Sequence, residues 1–339
     1  MNLITPLREG NGKRDAIEVA RGWLDDFGEV ALATVVSTWG SAPVPVGGQL
    51  VVAPGERFEG SVSGGCVEID VITEAADVMA TGRCRLLGFG IADEVAWQSG
   101  LPCGGTITVF LESLSLASDA AYLDAILTAR RARTTLGVIS NLATGARQIV
   151  NASSVVDEIL AEGMKSGESR VIDVADGQVF LQVLRPPVRI VAVGATHIGQ
   201  ILAYLAGRIG YDVVIVDPRT AFGTEERLGG NSVLTEWPEN SFKALGLDNR
   251  TAVVALTHAA HVDDEALTEA LRSDCLYIGA LGSKKTHGKR LERLLAQGIS
   301  SEDLARIRAP VGLSIGAKGP AEIAVSILAE IIKTSHGAL

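Results

Sequence analysis

The chain has 339 residues, 47% hydrophobic and 21% charged, with 38 glycines, 4% aromatics and a formal net charge of −10. That length suggests about two domains with cores of Val, Ile, Leu and Ala, and the composition excludes a disordered chain. The acidic balance excludes the broad basic surface that nucleic acids or anionic membranes require.

In chain order, residues 1–15 hold no apolar signal core. Ile17, Ala20, Trp23, Leu24 and Phe27 recur at helical spacing and predict a helix over 14–27. Residues 30–37 read as an apolar strand, 39–48 as a Gly- and Pro-rich loop, and 49–53 as a second strand. Residues 61–65 form a turn leading into a helix over 66–80, with Val71, Ala75, Val78 and Met79 on one face. Residues 106–112 alternate as a strand, and 136–142 follow as another. Residues 170–174 and 179–184 predict a hairpin around Asp176-Gly177, where glycine supplies positive φ.

Arg185-Pro186-Pro187 then breaks the pattern. Beyond it, strands (188–193, 213–216, 252–256, 276–278) alternate with helices (197–209, 264–271, 284–296, 321–332). Such alternation of apolar strands with helices implies a doubly wound parallel sheet. The expected fold is α/β, an N-terminal α+β domain over 1–185 followed by a Rossmann-like domain over 188–339. The most apolar stretch, 188–217, is interrupted by Arg189, His197, Gln200 and Arg208, so no membrane span is expected. Four cysteines without a Cys-x-x-Cys pair imply free thiols and a cytoplasmic location.

The second half carries a nucleotide-binding signature with one altered position. In the fingerprint G-x-G-x-x-G, Gly194 and Gly199 fill the first and third places and Thr196 stands in the second. The acid expected about twenty residues on, for the ribose hydroxyls, is Asp217. Arg219 nearby leaves the choice between NAD and NADP open, and a Rossmann fold that binds no dinucleotide is the alternative. His258, after the strand over 252–256, lines the expected ligand crevice. His258 and His261 have metal-like H-x-x-H spacing, but no third soft ligand accompanies them, and Asp263 reads instead as the cap of the next helix. Ser283 and Lys284, after Gly279-Ala-Leu-Gly282, suit a phosphate at a helix start or simply cap that helix. Gly316 to Pro320 repeats the theme.

In the first half, Gly64-Gly65 precede Cys66, and Gly104-Gly105 follow Cys103. Glycine pairs let a bulky ligand approach and aim backbone N–H groups at an anion. Cys66 falls at a predicted helix start, where the dipole favours thiolate, with Glu68 opposing. Two small buried cysteines under tight turns are the bland alternative. Cys84 and Cys275 have no such setting.

At these residues the chain resembles the XdhC/CoxI family of molybdoenzyme accessory proteins. The likeness rests on TVVSTWGSAPVPVGGQLVV, GSVSGGCVEIDVI and GIADEVAWQSGLPCGGTITVFLE in the first half. In the second it rests on VAVGATHIGQILA, DPR, LTHAAHVDDEAL, YIGALGSKKTHGKRLERL and GLSIGAKGPAEIAVSILAEI. The resemblance implies a carrier that binds molybdenum cofactor (molybdopterin), keeps it during exchange of an oxo ligand for sulfide, and passes it to apo-xanthine dehydrogenase or a related hydroxylase. Its implied partners are that apoenzyme and a cysteine desulfurase; the apolar composition without a membrane segment separately suggests a homodimer. Cys66 and Cys103 match the family's cysteine positions and become candidates for contacting molybdenum or holding sulfur, which suits soft thiolates. Val44 departs from the pattern, standing where relatives often carry Arg. A non-catalytic cofactor chaperone is the leading reading, an NAD(P)-dependent oxidoreductase its rival, and a nucleotide-sensing regulatory scaffold a third. Against the oxidoreductase, only His258 offers itself as a general acid or base.

Overall fold

The computed structural model describes residues 15–90, 105–151, 158–219 and 232–337. Contacts divide the chain into two compact units, one covering Arg14–Pro186 and the other running from Pro187.

The first unit is built on antiparallel sheets. Its elements are α1 (Ala16–Phe27), β1 (Glu29–Trp39), β2 (Gln49–Ala53), β3 (Arg57–Gly60), α2 (Glu68–Thr81), β4 (Arg85–Phe89) and β5 (Thr106–Ser115). After these come α3 (Leu116–Arg131), β6 (Leu136–Asn141), β7 (Arg147–Val150), α4 (Glu158–Ser166), β8 (Arg170–Val174) and β9 (Gly177–Leu184). Five strands pair in the order β3-β2-β1-β5-β4, and four in the order β7-β6-β9-β8. Strand alternation sends successive side chains to opposite faces. Leu32, Val51 and Leu114 therefore meet α1 and α3 (Leu24, Leu123), while Ala33, Val35 and Val109 meet α2 (Val71, Val78). Asp15 caps α1, its carboxylate accepting from the Ile17 amide at 2.9 Å. The turn of the β8–β9 hairpin is Ala175-Asp176, and Gly177 opens β9 at φ +126°, one residue from the expected place.

In this unit α3, α4, β3, β4 and β7 escape the sequence pattern. Helix α3 dilutes its apolar residues among Ala, Asp and Arg. Strands β3 and β4 are short and largely exposed. Helix α2 begins at Glu68 rather than at Cys66.

The second unit is a doubly wound parallel sheet. Its elements are β10 (Arg189–Val193), α5 (His197–Arg208), β11 (Asp212–Val216), β12 (Ser232–Leu234), α6 (Pro238–Leu245), β13 (Thr251–Ala255) and α7 (Ala260–Leu271). These lead to β14 (Tyr277–Ala280), α8 (Lys284–Ala296), α9 (Ser301–Leu304), β15 (Ile307–Arg308) and α10 (Pro320–Ser335). The order β12-β11-β10-β13-β14-β15, all parallel, is the 3-2-1-4-5-6 winding of a Rossmann domain. Helices α5 and α10 cover one face through Leu202, Ala206, Ile327 and Ile331. Helices α6, α7 and α8 cover the other through Phe242, Leu267 and Leu294. The strand order reverses between β10 and β13, so the loops after these two strands flank the crevice where such folds hold ligands.

Candidate functional site

Two places gather the residues singled out by the sequence. In the first unit, Cys66 ends the loop joining β3 to α2 and is exposed. The loop turns at Gly64 (φ +81°) and Gly65 (φ +117°), conformations that L side chains rarely adopt.

Its organiser is Glu68, whose side chain folds back from the first turn of α2 into the loop. Oε1 accepts from the Ser61 hydroxyl (2.6 Å) and from the amides of Val62 (3.1 Å), Ser63 (2.9 Å) and Gly64 (3.2 Å). Oε2 accepts from the Gly65 amide (2.8 Å) and the Ser63 hydroxyl. Burial alone raises this carboxyl, but the Ser61 and Ser63 hydroxyls and the Ser63 amide outweigh it and hold the group at about 2. The Ser63 oxygen in turn accepts from the amides of Cys66 and Val67, both at 3.0 Å. This hydroxyl satisfies the donors ahead of the first turn, so the chain enters α2 two residues later than the apolar pattern implies. Cys66 therefore lies outside the helix, and the amides of the glycine pair serve the protein's own carboxylate. The Ser-x-Ser-Gly-Gly-Cys-x-Glu run is the signal for this arrangement, an extended relative of the capping box.

The loop over 39–43 packs against both Gly64 and Gly105. A Cβ on Gly64 would lie 3.4 Å from Pro43 Cβ, and one on Gly105 would lie 2.6 Å from the Ser41 carbonyl and 2.7 Å from that of Trp39. Gly105 therefore has no room for a side chain. Cys103 and Gly104 lie outside the described residues. Val44 packs against the inner cluster of the sheet.

In the second unit, the predicted nucleotide residues do converge at the carboxyl edge of the sheet, but most are engaged by the protein itself. Gly194 has φ +117°, and its absent side chain makes room for Thr257 Cγ2 at 3.0 Å. A Cβ on Gly199 would lie 2.6 Å from the Gly194 carbonyl, so the close helix–strand approach itself demands this glycine. Thr196 caps α5, its hydroxyl accepting from the Gly199 amide at 3.2 Å.

Asp217 is fully buried. Its carboxylate accepts from Arg219 Nε and Nη2 (both 2.8 Å), from the Arg219 amide (3.0 Å) and from the Ala195 amide (2.8 Å). Burial works against the charge, but these donors win and keep Asp217 below its ordinary range. Asp217 stands where the sequence expects the ribose acceptor, and in this structure its acceptors face Arg219 and the β10–α5 turn. With Thr196 on the helix amide and Asp217 closed, the residues do not fit a dinucleotide in the usual Rossmann pose.

His258 sits at the crevice with φ +62°, exposed, its Nδ1 3.3 Å from the Leu256 carbonyl oxygen. Asp263 is not a cap, because α7 starts three residues earlier with Ala259 at its N-cap. Asp263 instead accepts from the Thr257 amide (3.2 Å) and hydroxyl (2.7 Å). His261 packs its ring against Trp237, with centroids 5.8 Å apart. Among the described residues no group of three or more His, Cys, Asp or Glu is placed to hold a metal ion. Ser283 caps α8, accepting from the Thr286 amide at 3.2 Å, and Lys284 is exposed at its first position. Arg290, which sequence reasoning missed, is buried beneath that turn and donates to the Leu281 carbonyl at 3.0 Å.

These features define a two-unit α/β protein with a surface thiol on a glycine loop in one unit and a Rossmann domain of altered fingerprint in the other. Residues 190–331 match the model of the XdhC Rossmann domain, and residues 14–90 match that of the XdhC and CoxI family. The chain belongs to the XdhC and CoxI family. It is 33% identical over 301 residues to the molybdenum cofactor insertion chaperone PaoD of Escherichia coli, covering 88% of this chain and 81% of that protein. It is 28% identical over 319 residues to a Bacillus subtilis protein described as a probable xanthine dehydrogenase subunit, covering 92% and 94%. A crystal structure of a protein described as a xanthine dehydrogenase from Bacillus halodurans shares the fold, with a TM-score of 0.78 over 96% of this chain and 97% of that one at 24% identity. No helix among the described residues is long and apolar enough to cross a membrane.

Proposed function

We propose that this protein is a maturation factor for a molybdenum hydroxylase of the xanthine dehydrogenase type. It takes molybdenum cofactor as cargo, holds it while an oxo ligand is replaced by sulfide, and delivers it to the apoenzyme. The observation that carries this reading is Cys66, an exposed thiol on a loop whose amides are bonded within the protein. A soft thiolate is the protein ligand suited to a sulfur-rich metal centre, and an accessible thiol is also suited to sulfur transfer. Cys103, the family's second cysteine, is the proposed companion. The partners are the apoenzyme, a cysteine desulfurase as sulfur source, and a second copy of the chain, with the work done in the cytoplasm. Kinship with an insertion chaperone supports the role of cargo carrier. NAD(P) has no part in this reading, since the Rossmann residues that would take it are turned inward.

The test is to purify the protein from a molybdenum-replete host and measure molybdenum by mass spectrometry and pterin by fluorescence. Cys66→Ala and Cys103→Ala are each expected to cut the retained cofactor severalfold. Equal cofactor in both variants and the parent would overturn the assignment of the thiols.

A further inference from the structure

A loop of consecutive amides with glycines at positive φ is a nest, the arrangement that elsewhere holds phosphate or another free anion. In this protein the nest over 62–65 is full. Every amide from Val62 to Gly65, together with the hydroxyls of Ser61 and Ser63, reaches one carboxylate, and the Gly64 amide is shared with the Ser61 oxygen at 2.8 Å. Glu68 is 7% exposed; its bonds from Val62 and Ser63 are buried, and those from Ser61, Gly64 and Gly65 are part-buried. The next amides, Cys66 and Val67, are taken by the Ser63 oxygen, whose proton goes to Glu68. Nothing in this chain of bonds uses the Cys66 side chain, which is left outside it.

We propose that Glu68 is a positioning residue: its carboxylate is a built-in anion that fills the nest, fixes the Ser61–Val67 backbone through Ser63, and so presents Cys66 to the cargo. The inference rests on the reading that Cys66 handles molybdenum cofactor. It adds that the cofactor's phosphate does not bind this loop, because the amides that would hold it are occupied. The cargo meets the thiol from the solvent side, with its anionic group held by other residues.

The experiment uses the full-length protein and its Glu68→Gln and Glu68→Ala variants. Exchange of the amides over 62–65 is followed by hydrogen–deuterium mass spectrometry, and alkylation of Cys66 by iodoacetamide is followed at the peptide level. Hydrogen bonds to a charged acceptor contribute about 1.5–3 kcal/mol, so Glu68→Gln is expected to speed exchange of these amides about tenfold or more and to change the Cys66 alkylation rate. Added formate is expected to restore both values in Glu68→Ala and to leave the parent unchanged, which a carboxylate with a merely structural role in packing would not produce. Parental exchange and alkylation in Glu68→Gln would overturn the inference. So would a folded Glu68→Ala protein whose loop is indifferent to formate. Molybdenum content of the same preparations separates the two claims. Parental molybdenum in Cys66→Ala overturns the cofactor reading and leaves the alkylation and exchange results standing.

Discussion

At the scale of single residues, Asp217 shows what position alone conceals. The acid at the end of β11 is where a Rossmann sequence places it, and its spacing from Gly194 was legible. Whether its oxygens face a ribose or the protein depends on side-chain direction, and Arg219 decides that by closing a bidentate pair. The carboxylate also ties the β10–α5 turn to β11 through the Ala195 amide. Arg219 is 35% exposed and can turn to water, but removing the buried carboxylate leaves the Ala195 amide without its acceptor, at a cost of roughly 1–3 kcal/mol. Asp217→Ala is therefore expected to lower the unfolding midpoint of the Rossmann unit by several degrees. Calorimetric titration with NAD and NADP is expected to give the same result for variant and parent. A variant of parental stability with lost nucleotide binding would restore the ribose role. Cys66 teaches the converse lesson. Its glycine neighbours could be read from sequence, whereas its backbone setting could not, because Glu68 reaches back three to seven residues to determine it.

At the scale of elements, legibility follows burial. Strands β10 and β13 are buried along their whole length and stand out as apolar runs. Helix α3 and strands β3 and β4 were not legible, since their apolar residues are few or outward-facing. The same region holds an arrangement no periodicity signals. Glu112 on β5 is buried, 3.4 Å from Arg147 of β7, which also pairs with Asp119 at the start of α3 and lies over the Tyr122 ring. Burial pushes the Glu112 carboxyl up to about 7; Arg147 opposes this and Asp119 adds to it. The folded state thus holds the Glu112 proton more tightly than the unfolded chain, whose carboxyl titrates near its ordinary value. Stability contributed by the neutral group is complete at low pH and declines as pH rises from about 4.5 through about 7. Glu112→Gln keeps the neutral shape and is expected to flatten that decline. The check is the denaturation midpoint of residues 14–186 between pH 5 and pH 8, and an unchanged slope in the variant would assign the dependence to another group.

At the scale of the whole molecule, each unit carries its own core: the sheet-and-helix clusters around Leu24 and Val71 in one, and those around Leu202 and Leu267 in the other. The boundary falls between two prolines, where no element is interrupted. A net charge of −10 opposes an anionic cargo everywhere except where local donors outweigh it, so binding depends on which unit supplies those donors. The thiol belongs to the first unit, and the Rossmann turns of the second are internally capped. Residues 14–186 and 187–339 expressed separately are each expected to unfold in one cooperative transition, because neither loses buried apolar partners of its own clusters. Molybdenum and pterin are expected to remain with residues 14–186, at reduced occupancy if groups of the second unit grip the phosphate. Cofactor found on residues 187–339 alone would move the binding site to the crevice between β10 and β13 and leave Cys66 with sulfur transfer as its remaining task.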